Sequence, residues 1–336
     1  MTTTMTTTVS LAAVLAAACW LRRQIQGYWY DRGFDVSLVE GELRGRVVVV
    51  TGGNNGIGLA AAKGFAALGC HVVIGCRSDA KGAAAVAAVS GSSGSASYAL
   101  LDLLSARSVE GFAAAVARRH PQVHCLVCNA GISGMNCQGG TEQAQQARAV
   151  WHANYLGHWQ LVESLRGRLA GRLGRVVSVA SGAHTGATIE FGGVTRPTGS
   201  AYGQSKLAQI MHMKALQRRL DKEGAGALAL SVTPGFVRTG IITGSVSGAW
   251  RVVFVALWPL YAFLGRTPHG GAQTLLFAAL SKKEALGGGG GYFSNCVAKP
   301  ATGEGGIAND EAKQEKLWEL SERMVEEAVE AERAKM

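Results

Sequence analysis

The chain has 336 residues, long for one nucleotide-binding domain and short for two full domains. Hydrophobic residues make up 48% and charged residues 17%, which excludes a disordered chain and supplies a substantial buried core. A net charge of +10 admits nucleic acid, an anionic membrane surface or a phosphorylated cofactor as partner; the bases are scattered and form no groove-reading motif, so nucleic acid is set aside.

Val9 to Leu21 is an apolar run followed at once by Arg22 and Arg23, with no acid before Asp31. At ~1.5 Å per residue it covers about 20 Å of a ~30 Å hydrocarbon core, and the uncharged threonines from Thr2 bring it near spanning length. Arginines on its C-terminal side keep the following domain cytosolic, so the run predicts an N-terminal membrane anchor; a mitochondrial targeting peptide and an interfacial helix are the alternatives.

Strand-like and helix-like segments then alternate. Strands are predicted at Arg46–Thr51, His71–Cys76, Tyr98–Leu101, Val123–Cys128, Arg175–Val179 and Ala227–Val232. Helices are predicted at Gly56–Leu68, Ala80–Val89, Ala106–His120, two over about Glu142–Leu169, and Ala201–Leu220. Ser90–Ser97 reads as a Gly/Ser loop. Continuous apolar strands separated by helices predict a single doubly wound parallel sheet of the α/β class, covered on both faces. The predicted units are an anchor and linker (1–40), the α/β domain (41–309, with a substrate lid at about 236–266) and a C-terminal helix (310–336). Seven cysteines, an odd number without scaffold spacing, fit a reducing compartment. Cys125 and Cys128 form a CxxC on a buried strand, where positions three apart face opposite ways. They predict core thiols, and no metal site is assigned.

The first strand runs into Thr51-Gly52-Gly53-Asn54-Asn55-Gly56-Ile57-Gly58 and then a helix. Strand, glycine-rich turn and helix N-terminus together form an anion site, where free N–H groups and the helix dipole face phosphates. At the end of the second strand an acid would bind a ribose 2′-hydroxyl; here stands Arg77, which suits a 2′-phosphate and favours NADP(H) over NAD(H). Farther on, Tyr202-Gly203-Gln204-Ser205-Lys206 places a phenol and an ammonium on one helix face. The neighbouring cation is expected to pull the tyrosine pKa down toward a range useful for proton exchange with a carbonyl or carbinol oxygen.

With Ser181 at the end of the preceding strand, the order of these motifs resembles the short-chain dehydrogenase/reductase family, over about Arg46 to Ser294. The resemblance rests on Thr51–Gly58, Asp102, Asn129-Ala130-Gly131, Asn154, Ser181, Tyr202, Lys206 and Pro234-Gly235. It implies a Rossmann-type fold in which Tyr202 donates or removes the proton and Ser181 holds the reacting oxygen. Lys206 would bind the nicotinamide ribose and tune Tyr202, and Asn154 would hold a water. The implied cofactor-binding set is Gly52, Asn54, Asn55, Gly56, Ile57, Gly58, Arg77, Asp102, Leu103, Asn129, Ala130, Gly131, Tyr202, Lys206, Pro234, Gly235, Val237 and Thr239. Ala180 departs from a common serine, and Asn54-Asn55 replaces a common serine or basic pair.

Ser181-Gly182-Ala183-His184, Gly271-Ala272-Gln273-Thr274, Gly291 to Cys296 and Leu317 to Ser321 are similar to the retinol dehydrogenase-like branch. That similarity implies a membrane-associated enzyme that interconverts a lipophilic alcohol and carbonyl. The endoplasmic reticulum is the first compartment; mitochondrion and lipid droplet are the alternatives. A steroid or fatty-aldehyde reductase is the nearest rival, and a non-catalytic cofactor-sensing membrane protein the rival from another class. His184 is left among structural residues. Ala249–Leu264 is an apolar run with a central Pro259, read as a lid or as a buried helix. The tail from Asp310 to Glu330 puts Leu317, Leu320, Met324 and Ala328 on one face and predicts an amphipathic helix docked on the domain or on a second subunit, leaving a homodimer open.

Overall fold

A computed structural model of the chain describes residues 33–39, 42–89, 93–133, 140–189, 191, 200–238 and 265–335, with positions 16 and 20. The rest of the apolar run Val9–Leu21, the segment Ala249–Leu264 and Thr239 lie outside the described residues. Among the described residues no helix is long and apolar enough to cross a membrane.

The strands are β1 (Val47–Thr51), β2 (His71–Cys76), β3 (Ser95–Leu100), β4 (Cys125–Cys128), β5 (Arg175–Val179), β6 (Leu228–Thr233), β7 (Tyr292–Ser294) and β8 (Val297–Lys299). They form one sheet in the order β3-β2-β1-β4-β5-β6-β7-β8. All neighbours are parallel except β7 and β8, a hairpin turned at Asn295 and Cys296, both at positive φ. Because β1 pairs with both β2 and β4, the order reverses beside it. A crevice opens there at the carboxyl ends of the strands, the usual ligand position in such sheets.

The helices are α1 (Gly56–Ala67), α2 (Asp79–Val89), α3 (Ala106–Arg119), α4 (Gly140–Trp151), α5 (Gly157–Leu165), α6 (Ala201–Lys222), α7 (Pro268–Leu280) and α8 (Glu311–Arg333). One apolar layer joins Val48 and Val50 to α1, α2 and α7, and the other joins Val49 to α3, α5 and α6. A strand buried on both faces has no polar alternation, so each β-branched run reads as continuously apolar. Cys125 and Cys128 are buried free thiols that fall in opposite layers. Burial pushes the Cys128 thiol up to about 12 and Cys125 higher still, as expected of core thiols.

One expectation is corrected and two are refined. The loop reading of Ser90–Ser97 fails from Ser95, where β3 begins on the sheet edge and its half-exposed faces tolerate serine and alanine. The two helices expected over Glu142–Leu169 are α4 and α5, joined without a break by a π-helical turn, His152–Leu156. The amphipathic tail buries Gln314, Leu317, Trp318 and Ser321, while Leu320 stays half-buried. It docks on the domain itself: Trp318 meets Trp159 at 5.5 Å and His212 at 5.4 Å, and Arg219 lies 3.8 Å over its ring.

Segment 33–39 lies along α7. Phe34 N–H donates to Gln273 Oε1 at 3.0 Å, Val39 bridges Ser281, and Lys282 N–H donates to Leu38 O at 2.8 Å.

Candidate active site

Thr51 ends β1 and hands the chain to the glycine turn, where Gly52 (φ 64°) and Gly56 (φ 55°) occupy left-handed backbone that other residues resist. A Cβ on Gly58 would lie 2.4 Å from Gly52 O and 2.5 Å from Asn129 Nδ2, so only glycine lets the turn close on the Asn129 loop. Asn55 caps α1 by accepting from Gly56 N–H at 2.7 Å. The first-turn N–H groups of α1 have no partner within the helix, a cradle of the kind that fits a pyrophosphate. Arg77 stands exposed directly after β2. Asp102 Oδ1 accepts from Leu104 N–H at 3.1 Å, while Leu103 is buried where a Cβ on Gly157 would strike its carbonyl at 2.4 Å.

Behind the turn a buried network ties three elements together. Thr51 Oγ1 accepts the N–H groups of Asn129 (2.9 Å) and Ala130 (3.0 Å) and lies 2.8 Å from His158 Nε2. The other ring nitrogen of His158 donates to Asn154 O at 3.0 Å, which assigns the proton to Nδ1. Burial holds that imidazole down at about 4, so it stays neutral. Gln209 of α6 donates to the same carbonyl at 2.7 Å. The Asn154 side chain accepts from Ile132 N–H (2.8 Å) and donates to Ile132 O (2.9 Å) and Ser205 Oγ (3.0 Å). Asn154, in the π-helical turn, is thus tied to the loop after Gly131 and to α6.

Ser181 caps a short 3-10 turn, Gly182–His184, at the end of β5. Its side chain faces the Tyr202 phenol closely enough to work against the rise in the phenol's pKa. The two elements nest because Gly203 has no side chain: a Cβ there would lie 2.8 Å from Ala183 O. Lys206 is buried, donates to Val179 O at 2.8 Å, and sits 5.4 Å from the Tyr202 ring centroid. Burial lowers the Lys206 ammonium to about 7. The downward pull expected on Tyr202 is not what this geometry yields. Burial raises the phenol above its ordinary value, and only the Ser181 hydrogen bond works against it. The reason is that Lys206 is itself desolvated and holds its proton weakly.

On the far side, Val237 and Ile57 meet at Gly271 of α7, where a Cβ would lie 2.7 Å and 3.4 Å from their side chains. Arg266, buried, donates to Pro234 O at 3.2 Å and to Asn295 Oδ1. Its backbone pairs with Phe236 and Arg238 on the other flank of the segment outside the described residues. The structure therefore gathers the glycine turn, Asn129–Gly131, Asn154, Ser181, Tyr202, Lys206, Pro234, Gly235 and Val237 at the carboxyl ends of β1, β4, β5 and β6. His158, Gln209, Ser205, Gly271 and Arg266 join them, none of them assigned a role from sequence. Gly271 and Ser205 fall inside motifs read from the sequence; the i,i+4 spacing of Asn154 and His158 is a signal that could have found His158.

A family model described as short chain dehydrogenase matches residues 46–248. Among curated proteins the chain is 36% identical to Dehydrogenase/reductase SDR family member 13 of Homo sapiens, over 84% of this chain and 74% of that one. It is 33% identical to Retinol dehydrogenase 11 of Homo sapiens, over 83% of this chain and 86% of that one. Among solved structures, an uncharacterized protein from Mycobacterium Paratuberculosis aligns with a TM-score of 0.65 and 27% identity, over 88% of this chain and 98% of that one.

Proposed function

The chain belongs to the short chain dehydrogenase family, an oxidoreductase with retinol dehydrogenase relatives, and from that premise we propose that it interconverts a lipophilic alcohol and its carbonyl with NADP(H). The observation that carries this reading is Ser181 facing the Tyr202 phenol, with Lys206 buried 5.4 Å from the Tyr202 ring and bonded to Val179 O, at the same strand ends as the glycine turn. NADPH, when bound along Gly52–Gly58, supplies the hydride. Tyr202 gives its proton to the carbonyl oxygen in reduction, and burial keeps that proton in place until it is needed. Ser181 donates a hydrogen bond to the same oxygen and holds it. Lys206, poised at about 7, accepts or yields a proton behind Tyr202 at neutral pH.

Arg77 supports NADPH over NADH, because an exposed guanidinium after β2 suits a 2′-phosphate. The resemblance to Retinol dehydrogenase 11 and the apolar run Ala249–Leu264 support a retinal-like or other apolar carbonyl. The test follows NADPH oxidation by detergent-solubilised protein with all-trans-retinal, a medium-chain aldehyde and a ketosteroid, alongside NADH and a Tyr202→Phe control. Turnover of an apolar carbonyl that is lost in the variant and weak with NADH is the expected result. Tight NADPH binding without turnover of any of the three would overturn the catalytic reading.

A further inference from the structure

The catalytic role given above to Ser181 requires its hydroxyl to stay on Tyr202, and Ser181 belongs to an exposed turn. We propose that His184 is the positioning residue that holds Ser181 in place, through the hydrogen bond from its Nδ1 to the Ser181 carbonyl. That bond is 2.7 Å long, against 3.2 Å for the backbone bond from His184 N–H to the same oxygen. A carbonyl only accepts, so the proton sits on Nδ1.

The histidine is itself held firmly. It is 1% exposed, and its ring meets Tyr292 edge-on at 4.9 Å. Tyr292 opens β7, which pairs in parallel with the end of β6. One side chain thereby references the Ser181 turn to the ends of β6 and β7, while Gly203 sets the same turn against α6. The bare Nε2 is buried with no hydrogen-bond partner among the described residues. Burial lowers the ring's pKa below its ordinary value. A histidine serving only to fill this space would need no such aim at Ser181.

This inference rests on the proposed function, and the experiment separates the two. His184→Phe keeps the ring against Tyr292 and removes the donor; His184→Asn restores a donor at the Nδ1 position without the ring. With NADPH and the carbonyl that turns over best, kcat in the Phe variant should fall roughly tenfold, the worth of one hydrogen bond, with KM for NADPH unchanged. The Asn variant should recover most of that loss. Because Ser181 works to lower the Tyr202 pKa, the acidic limb of alcohol oxidation should move to higher pH in the Phe variant and return in the Asn variant.

A second readout needs no turnover. Phenolate absorbance is titrated in the presence and absence of His184→Phe, each against a Tyr202→Phe background, and the Tyr202 midpoint should rise with the Phe variant. A chain that turns over no carbonyl yet shows this rise removes the catalytic reading and keeps the positioning role. Equal losses in both variants that follow thermal stability, or an unmoved midpoint, would reduce His184 to packing.

Discussion

Glu163 on α5 faces Arg166, Arg219, Glu223 and Glu322, and burial outweighs the two arginines, pushing its carboxyl up to about 7. One oxygen pairs with Arg166 at 3.2 Å; the other is buried with no hydrogen-bond partner among the described residues. The folded state therefore holds a proton that the unfolded chain releases near its ordinary value. Stability falls as pH rises from that value through about 7, and the penalty is fully present above it. Glu163→Gln should raise stability at pH 8 by about 1–2 kcal/mol and do nothing near pH 4, measured by urea unfolding at both. At this scale Ser181, Tyr202 and Lys206 are legible in the sequence, because a spacing and a strand end suffice to place them. His158 and Gln209 are not: their meaning lies in sharing the Asn154 carbonyl, a contact between π-helical turn and α6 that only folding creates.

Among the elements, the central strands are legible because two-sided burial demands continuous apolar runs. The first half of β3 hides because an edge strand buried only in part admits Ser95 and Ser97, which hydrogen-bond His71 at 2.7 Å and 3.0 Å. β7 and β8 hide because three-residue strands around a two-residue turn carry no period. α8 was legible as amphipathic, but not its far end. There the Glu332 carboxylate accepts from Ser105 Oγ, Ala106 N–H and Arg107 N–H, each at 3.1 Å, and caps α3. A carboxylate at a helix N-terminus is stabilised by the free N–H groups and the dipole, and those groups also lower its pKa. Glu332→Gln should cost about 1 kcal/mol in urea unfolding and loosen the last turns of α8 first, seen as faster amide exchange there.

For the whole molecule, the N-terminal run is proposed to hold the enzyme on a membrane. Liposome flotation should lift the full chain and leave behind a chain lacking residues 1–32, while NADPH binding stays equal in both. Loss of binding together with flotation would instead mean that the segment serves the fold.

The path of segment 33–39 beside α7 carries a kinetic consequence. Its start lies at Gln273, about 9 Å along the helix from Thr267 and so toward the end that bears the site. Eleven residues, 22 to 32, separate the apolar run from this segment and reach about 40 Å at full extension. A folded chain of this size is about 50 Å across, so the tether is shorter than the body it holds. With the run in the bilayer as proposed, the mouth of the crevice would sample a thin shell over the membrane, and its substrate would be met in two dimensions. Turnover of an apolar carbonyl should follow its mole fraction in the lipid, falling on dilution with inert phospholipid at constant total concentration.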